Sequence, residues 1–394
     1  MKILLLLLFS LPSLAVPELF IETSAPVDSK KVSVPGTFTL DNLSGSLEIR
    51  GRGNTTWGFP KKPYKIDLTE KTLLLGLPAA KDWVLLANFS DKTLLRNALA
   101  LDFARQLQPF TPKAKPVDVT LNREYVGSYL LTEQIEIGPN RLNLTKLKKT
   151  DIEGEALTGA YLIESSERLN EPFSFRTTRG RPFMLKNPSN PEPAQRAYIQ
   201  GYLQAAEDAL FSPDFAGPEG YAKFFEVKEF IHYYLVNELF RNQDAALYDS
   251  IFFHKDRGGK LVLGPVWDFD ISAGNINYDD NFLTDGWWIR KKSPWFARLV
   301  EDPAFAQAVH CRWREIRGKE VEHLLAQIDV KAAELAESQN RNFTKWPILD
   351  EYIWPNYVWL GTYENEVKYL KNWLRVRIRW LDSQWPATEA CAKN

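Results

Sequence analysis

The stretch from Asn242 to Asn275, NQDAALYDSIFFHKDRGGKLVLGPVWDFDISAGN, decides how the chain is read. It runs from a polar loop carrying Asn242 and Asp244 into an apolar run, Ser250 to His254. A turn at Asp256-Arg257-Gly258-Gly259 follows, then a second apolar run, Leu261 to Leu263, and the sequence Trp267-Asp268-Phe269-Asp270. Two apolar strands about a Gly-Gly turn predict a β-hairpin. A hairpin sets the acids before its first strand beside those after its second, so Asp244 is expected to approach Asp268 and Asp270. Convergent carboxylates point to a divalent cation, and oxygen-only donors favour magnesium, manganese or calcium over zinc. Asp side chains after a strand also bond nearby backbone amides in turns, and that plainer reading stands beside the first.

At 394 residues the chain exceeds a usual single domain, which predicts one two-lobed unit or two domains. Its 44% apolar content, with 13 Trp, 15 Tyr and 23 Phe, is ample for a large core. The 49 basic and 50 acidic residues nearly cancel, so no whole-molecule field favours nucleic acid or an anionic membrane. Met1-Lys2, the apolar run Ile3 to Leu14 and the small-x-small site Ser13-Leu14-Ala15 read as a short secretory signal cleaved after Ala15. The mature chain is then secreted or placed in the periplasm or cell envelope, with no integral membrane span. Cys311 and Cys391 either pair or stay as two free thiols. The four His residues show no metal-ligand spacing, which argues against zinc.

From Leu19 to Asp67 the pattern is short, alternating and punctuated by Gly, Pro and Asn, the mark of antiparallel strands. Tyr64, Ile66 and Leu68 share one face, with Lys65 and Asp67 on the other. The turn RGRGNTTW, residues 50 to 57, gathers Arg52, glycine amides and hydroxyls that could grip phosphate, or is a hairpin turn with solvated basic residues; it matches no nucleotide fingerprint. Strands follow at Asp82 to Phe89, Val117 to Leu121 and Tyr125 to Glu133, with a helix at Leu94 to Leu107. Glu133 is either a partner for Lys62 or Lys65 or a surface Glu. After Lys186 to Pro193 the pattern turns helical, near 194–210, 222–243, 295–340 and 362–385, giving a sheet-rich region 16–190 and a mainly helical region 191–394. The Trp residues at 354, 359, 373, 380 and 385 read as core, or as a carbohydrate-stacking surface.

RGRGNTTWGFPKKPYKIDL, DWVLLANFSDKTLLRNALALDFAR, VGSYLLTEQIEI, the NQDA loop, KDRGGKLVLGPVWDFDISAGN and the closing TYENEVKYLKNWLRVRIRWLD resemble, in order and over most of the chain, the spore coat protein H (CotH) kinase-like family. The resemblance implies an α+β, atypical protein-kinase-like two-lobed fold. Its N-terminal lobe would be rich in antiparallel sheet and its C-terminal lobe mainly helical, with ATP and a divalent metal (magnesium or manganese) between them. Asp244 would match the acid that orients or deprotonates the acceptor hydroxyl, and Asp268 the metal-binding acid of a kinase DFG motif. Asp270 and Asn275 would support the metal. Lys62, or in second place Lys65, would match the base on the nucleotide phosphates, with Glu133 as its partner. This sequence departs in having no GxGxxG loop, and no Asn follows Asp244 as second metal ligand; the nearest residues are Asp249, able to coordinate, and Ser250, a poor ligand.

The leading expectation is a secreted ATP-dependent kinase acting on Ser, Thr or another hydroxyl of an exported protein or cell-envelope acceptor, with AMP transfer as a variant of the same pocket. Two other readings stand beside it. Asp268-Phe-Asp270 also fits the DxD motif of a glycosyltransferase, and paired acids fit another carbohydrate-active enzyme. An envelope-assembly protein of the same fold without catalysis is the third.

Overall fold

The computed structural model describes residues 15–246, 249–388 and 391. Residues 1–14 of the expected signal segment lie outside the described residues, as do Leu247 and Tyr248 beyond Asp244. Seven strands come first: β1 (Glu18–Thr23), β2 (Val34–Leu40), β3 (Leu43–Gly51), β4 (Tyr64–Thr72), β5 (Ala80–Leu86), β6 (Ala114–Leu121) and β7 (Glu124–Glu133). In β4 the alternation holds: Tyr64, Ile66 and Leu68 are buried, while Lys65 and Asp67 stay partly exposed on the other face. The sequence predicts an antiparallel sheet; the structure closes it into a barrel, in the order β1-β2-β3-β4-β5-β7-β6. Closure comes from one parallel pairing, β1 with β6, running from Glu18↔Asp118 to Ile21↔Leu121. A closed barrel has no open edge to protect, and this one is filled by Leu19, Phe38, Ile49, Ile66, Trp83 and Leu131.

A second sheet, in the order β12-β11-β8-β10-β9, joins β8 (Tyr161–Ser165), β9 (Ser174–Arg176) and β10 (Pro182–Asn187) to the hairpin β11 (Ile251–Lys255) and β12 (Leu261–Leu263). The hairpin is in register, Phe253 with Leu263 and Lys255 with Leu261. The sheet therefore runs across the boundary expected near 186–193. Its face carrying Tyr161, Phe183 and Phe253 shares one core with the helices.

The helices are α1 (Arg96–Arg105), α2 (Pro193–Leu210), α3 (Val227–Phe240), α4 (Ile289–Lys292), α5 (Pro294–Leu299), α6 (Pro303–Arg317), α7 (Glu320–Glu334), α8 (Ala336–Lys345) and α9 (Tyr363–Gln384). The long helical pattern expected over 295–340 is broken at Asp302-Pro303, where the Asp302 side chain caps α6 and proline takes the first helical position. The result is an α+β molecule, sheet-rich at the N-terminal end and helical at the C-terminal end.

In α3 every residue from Glu229 to Phe240 is buried, so this helix is surrounded by the core. It ends at Arg241, which takes a left-handed φ of 45°. The Arg241 guanidinium offsets that strain by donating to Asn281 Oδ1 at 3.1 Å and to the carbonyls of Asp280 and Gly286, both at 3.0 Å. The chain leaves this turn directly into Asn242 and Asp244. A fully buried ion pair, Arg377 Nη2 to Glu238 Oε1 at 2.8 Å, ties α9 to α3. Cys311 of α6 is disulfide-bonded to Cys391, the paired one of the two readings. Among the described residues no helix is long and apolar enough to cross a membrane.

Candidate active-site cleft

A cavity of about 290 Å³ lies between the barrel and the second sheet. The barrel side supplies Leu86 of β5, the loop from Arg52 to Pro63, and Gln134 and Ile135 just after β7; the sheet supplies Glu164, Met184, Lys186 and Phe252. Asp244, Ser250, Asp268 and Asp270 close the floor. The structure thus brings the acids on either side of the hairpin to one place, across 24 residues of sequence between Asp244 and Asp268. An apolar layer of Leu86, Ile135, Phe252 and Trp267 belongs to a small core that joins barrel to sheet.

Electrostatics set this floor apart. Burial pushes the Asp244 carboxyl up to about 7; Asp268 and Asp249 add to the shift, and Arg168 opposes it. Asp270 is raised well above the usual carboxylate range, first by burial, then by the charges of Asp268, Asp244 and Asp91 and a hydrogen bond with Asp268. Asp268 takes a left-handed φ of 65°, as does Ser250 at 58°, whose Oγ donates to Asp268 Oδ2 at 3.2 Å. Strained backbone of this kind persists only where the surroundings hold it, and it gathers at functional sites. Cations face the acids. Arg52 lies over the Trp267 ring, 5.5 Å from its centroid, and its guanidinium, lowered by burial, is countered by Asp268 and Glu164. Lys186 Nζ stands 3.3 Å from Glu164 Oε2 and also contacts Glu171; burial lowers its basicity, but these two carboxylates outweigh that and raise it.

Four sequence-predicted residues sit elsewhere. Lys62 Nζ donates to the Trp57 carbonyl at 2.8 Å and rests over that ring, while Lys65 is clamped by Asp67 at 2.8 Å and Asp82 at 2.6 Å; neither lines the cavity. Glu133 is no surface residue and no partner of either lysine: it is 1% exposed and paired with Arg141 at 2.9 Å, because β7 turns it toward the loop that carries Arg141. Asn275 spends both polar ends on structure, donating to the Ser90 and Asp270 carbonyls at 3.1 and 2.7 Å and accepting from Asn356 at 2.9 Å. Asp249 borders the floor but is held by Ser166 Oγ and by Arg168 Nη2 at 3.1 Å.

Sequence reasoning missed Glu164, Lys186, Arg168 and Asn97, all of which line the cavity. A signal existed for the first two. Each is a lone charge at the end of an apolar strand, YLIES or PFMLKN, and Glu164 lies in register between Met184 and Phe252.

Among the described residues, no three His, Cys, Asp or Glu side chains converge closely enough to hold a metal ion alone. Magnesium commonly keeps several waters and takes one or two carboxylates together with phosphate oxygens. The adjoining Asp268 and Asp270 carboxyls, the latter raised first by burial and then by neighbouring charge, offer the two oxygen donors of an ion that arrives with phosphate. They do not fit an all-protein cage.

A segment of 103 residues is 31% identical to the protein named inner spore coat protein H of Bacillus subtilis (strain 168), covering 26% of this chain and 28% of that one. The match therefore spans less than a third of that relative's length. The family described as CotH kinase protein matches residues 49–381, which takes in the barrel from the last residues of β3 onward, the second sheet, the cleft and nearly all of α9, and the chain belongs to that family.

Proposed function

We propose that this protein is a phosphotransferase with a kinase-like division of the molecule, moving the γ-phosphoryl group of ATP to a hydroxyl of an exported or cell-surface acceptor. The observation that carries this reading is the gathering of Asp244, Asp268 and Asp270 against Arg52, Lys186 and Arg168 in one cleft with an apolar inner wall. Phosphoryl transfer needs positioning and charge neutralisation more than covalent help.

The base of ATP would lie against Leu86, Ile135 and Phe252, and its phosphates would point toward Lys186 and Arg52. Magnesium or manganese, held by Asp268 and Asp270, would neutralise charge on the phosphates. Asp244, whose proton is held up to about 7, orients the acceptor hydroxyl and takes its proton as the oxygen bonds to the γ-phosphorus and ADP leaves. Export fits the leading apolar run, the Cys311–Cys391 disulfide and the relative named as a spore coat protein.

The test is label transfer from ATP carrying γ- or α-labelled phosphate, wild type beside Asp244→Ala. Transfer of γ-label that disappears in the variant is expected. Transfer of α-label would make the protein an AMP transferase, and no transfer from either would return the choice to the sugar-active and non-catalytic readings.

A further inference from the structure

The cleft opens onto a rim of aromatic side chains that phosphoryl transfer leaves unused. Of the Trp residues singled out in the sequence, Trp373, Trp380 and Trp385 belong to the core or pack against it. Trp354 and Trp359 are each 46% exposed, beside Tyr352 at 46% and Tyr357 at 42%. These rings are braced. Trp354 stacks on Tyr278 with 14° between planes, Tyr357 stacks on Phe282 at 4.1 Å and 8°, and Trp359 meets Tyr352 edge-on at 5.4 Å. Asn277 Nδ2 donates to Tyr352 Oη at 2.9 Å, and Asn356 ties the loop to Asn275, the residue that bonds the Asp270 carbonyl. Trp354 and Pro355 also line the cleft, so rim and candidate site are continuous.

Charge narrows the partner. The two segments that build the rim, residues 261–289 and 346–367, contain no Lys or Arg, which disfavours nucleic acid, anionic lipid and other polyanions. Four of their acids already face cations: Asp279 lies 3.8 Å from Lys292, and the buried Lys92 interacts with Asp350, Glu351 and Glu366. A cationic peptide would have to compete for them. What is left is electron-rich flat faces edged by amide and carboxylate acceptors, held rigid before any partner arrives. That surface complements a neutral molecule with flat C–H faces and many hydroxyl donors.

We propose that this rim docks a neutral β-linked polysaccharide and presents one of its hydroxyls to Asp244. The transfer half rests on the kinase reading; the docking half does not. In the transfer, the sugar oxygen bonds to the γ-phosphorus as the bond to the β–γ bridging oxygen breaks, ADP departs, and the hydroxyl proton passes to Asp244.

The experiment is affinity electrophoresis of the whole chain, without nucleotide, in gels cast with hydroxyethylcellulose or glycol chitin, beside Trp359→Ala and Tyr352→Ala. Both side chains are exposed, and melting followed by circular dichroism checks that each variant stays folded. Retardation of the wild type is expected, with each variant bound about threefold to tenfold more weakly, the span that one lost ring contact gives. Retardation without any ATP transfer would separate the two halves, sinking the kinase reading and leaving the docking surface. Migration unaffected by both polysaccharides overturns the proposal. So do retardation unchanged in both variants, binding of polylysine in place of the polysaccharides, or a wild-type dimer that Trp359→Ala converts to monomer.

Discussion

Asn97 Oδ1, on the first turn of α1, accepts the backbone N–H of Phe269 at 2.8 Å, the residue between the two cleft acids Asp268 and Asp270. Its neighbour Arg96 donates to the carbonyls of Ser272 and Ala273 at 3.0 and 3.2 Å, and Asp91 anchors Arg96 with an ion pair of 2.6 Å. The helix after the barrel therefore grips the turn that carries the acids. Holding Asp268 in its left-handed conformation costs about 1–3 kcal/mol, which this grip must offset.

Asn97→Ala leaves the Phe269 N–H buried without an acceptor, and a loss of about 1–3 kcal/mol in stability is expected. Titration calorimetry with a metal–nucleotide complex should register an added loss of affinity, since Asp268 and Asp270 are no longer held in register. Equal destabilisation with unchanged affinity would reduce Asn97 to a structural role.

Lys61 supplies the pH dependence. It is 1% exposed, donates to Asn342 Oδ1 at 2.8 Å and to the Ser128 carbonyl, and so fastens the cleft loop to α8 and β7. Burial pulls its ammonium down to about 7, with Asp118 opposing. The unfolded chain holds that proton up to its ordinary value near 10.4, so in between the native state binds fewer protons. Stability from this group is present above that value and is lost as pH falls through about 7. Urea unfolding should show wild type gaining on Lys61→Met by up to about 1.4 kcal/mol per pH unit between about pH 7 and pH 10. A flat difference would mean that Lys61 is not held neutral.

What the sequence made legible was local. The hairpin at 251–263, the helix near 362–385 with Val367, Leu370, Trp373, Leu374 and Ile378 on its buried side, and the inward face of β4 all follow from spacing within a few residues, and the structure keeps them. Barrel closure was not legible, because it depends on Glu18 to Ile21 finding Asp118 to Leu121 a hundred residues away. The cleft acids could be read because one hairpin delivers them. Of the cations only Arg52 was read and lines the cleft: Lys62 and Lys65 look basic and available in PKKPYK, but pairing with Trp57, Asp67 and Asp82 takes them out of play. Lys186 stands out locally as a lone charge on an apolar strand, but its place in the cleft comes from the pairing of β10 with β8, which strand pattern alone does not encode.

The Cys311–Cys391 bond closes a loop over a separation of 80 residues and staples the segment after α9 to α6. Reduction, or a paired Cys→Ser substitution, is expected to cost about 2–4 kcal/mol. Melting with and without reductant would show it. No shift would mean that the bond constrains a segment already loose in both states.

The strongest discrimination lies among the lysines. Lys186 lines the cleft with its charge held by Glu164 and Glu171, poised to contact phosphate without leaving its strand. Lys186→Met should weaken nucleotide binding about tenfold to a hundredfold, the range for losing one hydrogen bond to a charged group. Lys62→Met and Lys65→Met should leave it unchanged, because neither side chain faces the cavity. Fluorescence titration with a nucleotide analogue on all three variants would decide. If Lys62→Met weakens binding as much as Lys186→Met, the phosphates lie on the barrel loop, and the second sheet serves only to shape the floor beneath them.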